Sequence, residues 1–201
     1  MAQHVGAHMM LSLDGFGTGV NQTREHPFGS VSPQQLGRWM FEDAANNRAE
    51  IDAVVDYGAF IMGRNMFAAP GADVWEREWK GWWGPNPPYH APVFVLTHYA
   101  RPPIEMEGGT VFHFVTDGPE VALARAREAA GERNVAIAGG VTTTRYFLNS
   151  GAIEALHLHI APLVVGQGER LWDGLTAKLE PVSARHSQFA THIKYRVGKG
   201  S

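Results

Sequence analysis

The 201-residue chain is 44% hydrophobic and 18% charged, the composition of one folded domain large enough to bury about 70% of its unfolded surface. A net charge of -3 gives no basic field for nucleic acid, and no apolar run approaches the ~18 residues of a membrane span. The absence of cysteine excludes disulfides, thiolate metal sites and a cysteine nucleophile, and with no secretion signal in view the cytoplasm is the expected compartment.

Residues 4–12 (HVGAHMMLS) predict a first strand, closed by the turn pair Asp14-Gly15. Residues 15–32, rich in Gly, Asn, Thr and Pro, predict a long loop. A helix is expected from the upper 40s to Asp56, with Ile51, Val54 and Val55 on one apolar stripe. Residues 59–62 read as a short buried strand that runs into Gly63-Arg64-Asn65. Residues 69–91 are irregular and carry Trp75, Trp79, Trp82 and Trp83. Strands are predicted over 92–97 and 110–115, and an alanine-rich helix between Gly118 and Gly131 with Asp117 as its cap.

The segment VAIAGGVTTTRYFLNSG (135–151) is the most informative of all. Its apolar run is too short for a helix and fits a strand buried on both faces. Gly139-Gly140 then turns into a helix for which Thr142, Thr143 and Thr144 offer capping hydroxyls and Asn149-Ser150-Gly151 the stop. One or two strands follow before the loop Gly166-Gln167-Gly168, and one or two antiparallel strands over 182–197. This alternation predicts one α/β domain over 1–201, three-layer α/β/α, with a mixed, mostly parallel central sheet.

Ligands of open α/β sheets gather at the carboxyl ends of the strands. Three such ends suit a phosphorylated dinucleotide: Gly63-Arg64, Thr97-His98 with Arg101 nearby, and Gly139-Gly140. A guanidinium matches phosphate bidentately, a hydroxyl donates one bond, and a helix N-terminus presents unpaired N–H groups. The GxGxxG fingerprint is absent.

The segments LSLDGF (11–16), FIMGRNMF (60–67), VFVLTH (93–98), VAIAGGVTTTRYFL (135–148) and LHLHIAPLVVGQGERLW (156–172), in this order, resemble the dihydrofolate reductase superfamily. The resemblance is to the branch that holds the reductase domain of riboflavin-biosynthesis deaminase-reductases. It implies a dihydrofolate reductase-like fold with NADPH as cofactor. Gly63, Arg64 and Asn65 would then lie against the adenosine phosphates, and Thr97 and His98 would face the 2′-phosphate. Gly139, Gly140, Val141, Thr142 and Thr143 would hold the pyrophosphate, with the Gly-Gly bond often cis. Asp14, Phe16 and Gly17 would flank the nicotinamide, and the proton would come from water or from a carboxylic acid such as Asp14. Phe16, Trp39 and Phe41 would meet the substrate.

The chain departs from folate reductases at the acid that grips the pterin. Asn47 stands near that position, with Glu50 and Asp52 close by. Nor does a cluster of cations for a ribose phosphate stand out, only Arg38, Arg48 and Lys80 in scattered places. The expected activity is hydride transfer from NADPH to a small pterin-, pyrimidine- or flavin-like substrate. The alternatives are the ribosylamino-pyrimidine phosphate reductase of riboflavin biosynthesis, and a non-catalytic NADPH-binding regulator or sensor. Relatives in this branch often pair through C-terminal strands, so a homodimer is expected, with no nucleic acid, membrane or metal.

Plainer readings stand beside these. Asp14 fits a simple turn, Arg64 a surface ion pair and His98 an exposed loop. His157 and His159 share one strand face, as a metal pair would, but a pair covered by a helix or by a subunit contact needs no third ligand. The tryptophans suit either a pocket for a flat ring or the closing of the core.

Overall fold

Five short apolar runs set the centre of the molecule. In the computed structural model, which describes residues 3–69, 75 and 78–198, they become β1 (Val5–Ser12), β3 (Ala59–Gly63), β4 (Pro92–Leu96), β6 (Val111–Val115) and β7 (Val135–Gly139). With β8 (Ala155–Ala161) they run parallel in the spatial order β8-β1-β7-β3-β4-β6. The short β5 (Ile104–Glu105) closes one edge antiparallel to β6. On the other side β11 (Thr191–Gly198) pairs antiparallel with β8, and β10 (Lys178–His186) with β11. The nine strands form one mixed, mostly parallel sheet, the expected α/β class. Within the loop expected over 15–32, β2 (Phe16–Thr18) forms a small ribbon with β9 (Glu169–Arg170).

One face is packed by α5 (Pro119–Ala130) and α6 (Val141–Asn149), whose Ala122, Ala126, Phe147 and Leu148 meet Val5, Ala7, Ile61 and Ile137. The opposite face carries two clusters. Under β3, β4 and β6 lies an aromatic one, where Phe60, Phe67, Tyr89 and Phe112 are joined by Trp75, Trp79 and Trp83. Trp83 stacks on Phe112, and Trp79 donates to the Phe67 carbonyl at 2.8 Å. These indoles close the core. The remaining irregular positions, 70–74, 76 and 77, lie outside the described residues.

Beside this cluster the helical cover consists of α1 (Pro33–Leu36), α2 (Arg38–Phe41), a 3-10 turn (Ala44–Asn47) and α3 (Arg48–Val55). Ser32 and Gln35 form a reciprocal capping box at the start of α1. The expected stripe Ile51, Val54, Val55 lies on α3, yet only half-buried.

Two capping expectations are corrected. Gly118, at φ +97, caps α5 ahead of Pro119, while Asp117 pairs with Arg125 at 3.1 Å. Gly140 caps α6 with no side-chain bond: Thr142 donates to Glu169 and Thr144 donates to the Met9 sulfur. The threonines are drawn away from their own backbone by tertiary partners. The stop is as expected, with Gly151 at φ +72.

Candidate active site

The carboxyl ends of β1, β3, β4 and β7 meet at one rim, where α4 (Arg64–Phe67) and α6 begin. Gly139 has φ +115 and is joined to Gly140 by a cis peptide bond. The first intrahelical bond of α6 runs from Thr144 N to Gly140 O at 3.0 Å. The amides of Val141, Thr142 and Thr143 precede it and face out of the helix end. A side chain built on Gly140 would meet nothing within 4 Å. This helix end is an open cradle.

Glycine also lets the neighbouring loops close around it. A Cβ on Gly17 would lie 2.6 Å from the Val141 side chain, and one on Gly63 would collide with the Thr143 hydroxyl. Gly17, Gly63, Gly139, Gly140, Val141, Thr142 and Thr143 are thus brought together, with Phe16 beside them in β2 under Arg170. Further along the rim, Arg64 donates to the Ala69 carbonyl at 3.2 Å. Its guanidinium lies 4.9 Å over Trp75, a ring that Arg101 approaches at 5.4 Å. Asn65 and His98 are exposed there. Thr97 is buried and its hydroxyl accepts the Tyr99 amide at 3.1 Å, a local turn.

Asp14 holds the loop in place. It accepts the Ser12 hydroxyl at 2.6 Å and the amides of Val165 and Gly166 at 3.1 and 2.8 Å. Burial pushes its carboxyl up, but the Ser12 hydroxyl and these amides outweigh that and hold the pKa at about 2. An ionised carboxylate has no proton to give near neutrality, so the expectation of Asp14 as proton donor is corrected: it is the staple between the β1 and β8 ends.

Trp39 is corrected too. It is 0% exposed and stacks on His159 at 4.5 Å, beneath the helical cover, while Phe41 two residues on is exposed. Asn47 is equally closed to ligands. Its amide donates to the carbonyls of Trp39 and Asp43, and its oxygen accepts Arg185 and His192 at 2.9 and 3.0 Å. A side chain so saturated grips no substrate. Of the scattered cations the sequence offered, Arg38 pairs with Glu42 and Arg48 with Asp52, while Arg185, which it did not offer, pairs with Glu50.

His157 and His159 do share a region, with His8 at 4.2 and 5.4 Å from them. Among the described residues, no group of three or more His, Asp or Glu side chains is placed to hold a metal. Sequence reasoning missed His8, His192, Tyr57 and Arg185 as members of this cluster. The pairing of His8 with His157 across β1 and β8 was the one available signal, and it needs the strand register.

A family model described as the RibD C-terminal domain matches residues 3–195. No curated protein matches the sequence. Solved structures of other proteins share its fold, among them the following three. A protein from Shewanella sp. PV-4, provisionally ascribed to riboflavin biosynthesis, is 19% identical with a TM-score of 0.64, over 99% of this chain and 100% of that one. A Thermotoga maritima diaminohydroxyphosphoribosylaminopyrimidine deaminase/5-amino-6-(5-phosphoribosylamino)uracil reductase is 14% identical with a TM-score of 0.60. It is covered over 57% of its length by 98% of this chain. A dihydrofolate reductase from Enterococcus faecalis, solved with NADP(H), is 14% identical with a TM-score of 0.57, over 98% of this chain and 97% of that one.

Proposed function

The chain belongs to the RibD C-terminal domain family, and from that premise we propose that it is an NADPH-dependent reductase of a small heterocyclic substrate. The observation that carries this reading is the open helix end at Gly140, with Gly63 and Arg64 on the same rim. The residues fit the cofactor. The amides of Val141, Thr142 and Thr143 would hold its pyrophosphate, Arg64 and Asn65 its adenosine phosphates, and Thr97 and His98 the neighbourhood of the 2′-phosphate. Phe16 and Gly17 would flank the nicotinamide, and the exposed Phe41 the substrate. When bound, NADPH supplies a hydride to a conjugated C=N or C=O, or to a ribosyl carbon. The protein's part is to orient the rings and keep water out. With Asp14 ionised, the proton that completes the reduction comes from solvent.

A cytoplasmic homodimer completes the proposal, and no described helix is long and apolar enough to cross a membrane. Two other readings have specific support. Family membership favours the pyrimidine reductase of riboflavin biosynthesis, and turnover of its ribosylamino-pyrimidine phosphate would establish that substrate. The saturated Asn47 and ionised Asp14 favour an NADPH-binding regulator without catalysis. Parallel fluorescence titrations with NADPH and NADH test the common premise. Micromolar NADPH binding with preference over NADH is expected, followed by oxidation of the bound cofactor when pterins, pyrimidines or flavins are supplied. Tight binding with no acceptor reduced would select the regulator. Binding of neither cofactor would end all three readings.

A further inference from the structure

A line of side chains runs under the helical cover with one hydrogen bond between each pair. The Tyr57 hydroxyl lies 3.2 Å from His8 Nε2, and His8 Nδ1 lies 3.1 Å from His159 Nε2. His159 Nδ1 lies 2.8 Å from His192 Nδ1, and His192 Nε2 lies 3.0 Å from Asn47 Oδ1. The end of the line fixes its direction. Asn47 Nδ2 is committed to the Trp39 and Asp43 carbonyls, so its oxygen faces His192 and Arg185 and accepts from both. His192 therefore carries its hydrogen on Nε2 and accepts on Nδ1. His159 must then donate from Nδ1 and accept on Nε2, His8 likewise, and Tyr57 donates into the line. One set of neutral tautomers satisfies every bond.

The line joins separate parts of the fold. His8 is on β1, His159 on β8, His192 on β11, Asn47 in the 3-10 turn, and Tyr57 just beyond α3. Trp39 of α2 covers it, stacked on His159 and edge-on to His192 at 5.0 Å. The β10–β11 hairpin meets the helical cover here, through His192, through Arg185 on Glu50 and Asn47, and through Phe189 under the Arg38 guanidinium at 3.9 Å. We propose that the Tyr57–His8–His159–His192–Asn47 line is an acid-released latch that fastens the C-terminal hairpin to the helical cover while its histidines are neutral.

The bonding pattern explains the release. A proton added to His159 sets its Nε2–H against the Nδ1–H of His8 until His8 reverses its tautomer, whereas one added to His8 is met by the Tyr57 hydroxyl, which must turn from donor to acceptor. A proton on His192 is accommodated only if every tautomer reverses, and it leaves an imidazolium beside the Arg185 guanidinium on the same amide oxygen. The surroundings discourage charge as well. Lys194 and His157 face His8, and Arg185 faces His192, while Glu50 alone acts in the opposite sense on His159 and His192. Asp56 faces Tyr57, and Asp43, on the other side of Asn47, faces Arg185. Burial first, then neighbouring imidazoles, holds His8 at about 2 and His159 at about 3.

Long-range 1H–15N correlation on the unmodified protein reads the tautomers directly. At neutral pH, His8 and His159 are expected as the Nδ1–H form and His192 as the Nε2–H form. Hydrogen exchange then reads the latch. Below about pH 6.5, β11 amide protection should fall roughly tenfold per pH unit for each imidazole released, ahead of β3, β4 and β7. His192→Gln should weaken that pH dependence. An imidazolium or an Nε2–H tautomer at His8 or His159 near neutrality overturns the proposal. So does loss of β11 protection only together with that of the central strands.

Discussion

Gly140 and Gly63 lie side by side at the rim, a Cβ on Gly63 standing 3.8 Å from the Gly140 nitrogen, yet alanine should do opposite things at the two positions. At Gly140 the backbone has φ -70, which alanine adopts freely, and no atom beyond the two adjoining residues lies within 4 Å of the added methyl. Gly140→Ala should therefore leave stability within about 0.5 kcal/mol while filling the space a pyrophosphate would use, weakening NADPH about tenfold or more. At Gly63 the methyl would strike the Thr143 hydroxyl, whose β-branched side chain has little room to turn. Gly63→Ala should cost about 1–3 kcal/mol of stability as well as affinity. Thermal melts and NADPH titrations on the two variants separate these outcomes, and equal affinity of Gly140→Ala and the parent would remove the cradle from the binding site. Arg64 tests the other end of the cofactor. If its guanidinium faces the 2′-phosphate, Arg64→Ala should weaken NADPH more than NADH, whereas an equal loss for both would contradict that placement.

The elements around Gly139-Gly140 were legible because local pattern and tertiary role coincide there. A four-residue apolar run, two glycines and a polar stop leave one reading, and β7 and α6 follow it. The caps were not legible, because Thr142 and Thr144 find better partners in Glu169 and Met9, distant in sequence. The histidine line was hidden for the same reason: it forms across β1, β8 and β11, and only their register brings the rings together. Its consequence for global stability has a definite sign. Folded His8 and His159 titrate at about 2 and 3, below the unfolded value of 6.5. Between these limits only the unfolded chain binds the protons. Stability is therefore full above about pH 6.5 and falls as the pH drops, by about 1.4 kcal/mol per pH unit for each of the two imidazoles. His159→Gln should flatten the dependence of unfolding free energy on pH by about that amount, measured by urea denaturation between pH 4 and 8. An unchanged slope would mean that His159 is protonated in the folded state.

At the scale of the whole molecule, the sheet is covered unevenly. Its β5 edge is two residues long, which leaves little to pair with, and α5 and α6 seal one face. The other edge, β10, is exposed at eight of its nine positions, and Val182 is 52% exposed. Strand addition along this edge is obstructed, since Pro181 lacks an N–H and the register slips between Pro181 and Ser183. A second copy would instead be met by side chains of the hairpin face, where Val182 stands among charged neighbours such as Lys178, Glu180 and Arg196, both signs being present for a two-fold contact. The expected result in light scattering after gel filtration is twice the chain mass of 22.0 kDa at micromolar concentration. Val182→Asp should return the monomer without lowering the melting temperature of the separated chain, because the side chain has no role in the core. A monomer in the parent protein would leave β10 as an edge protected by its own proline, bulge and charges, and would confine function to the rim at Gly140. A dimer would couple the two ends of the sheet. The hairpin that a partner covers is the one the histidine line fastens, so dissociation on acidification should begin in the same pH range as the loss of β11 protection.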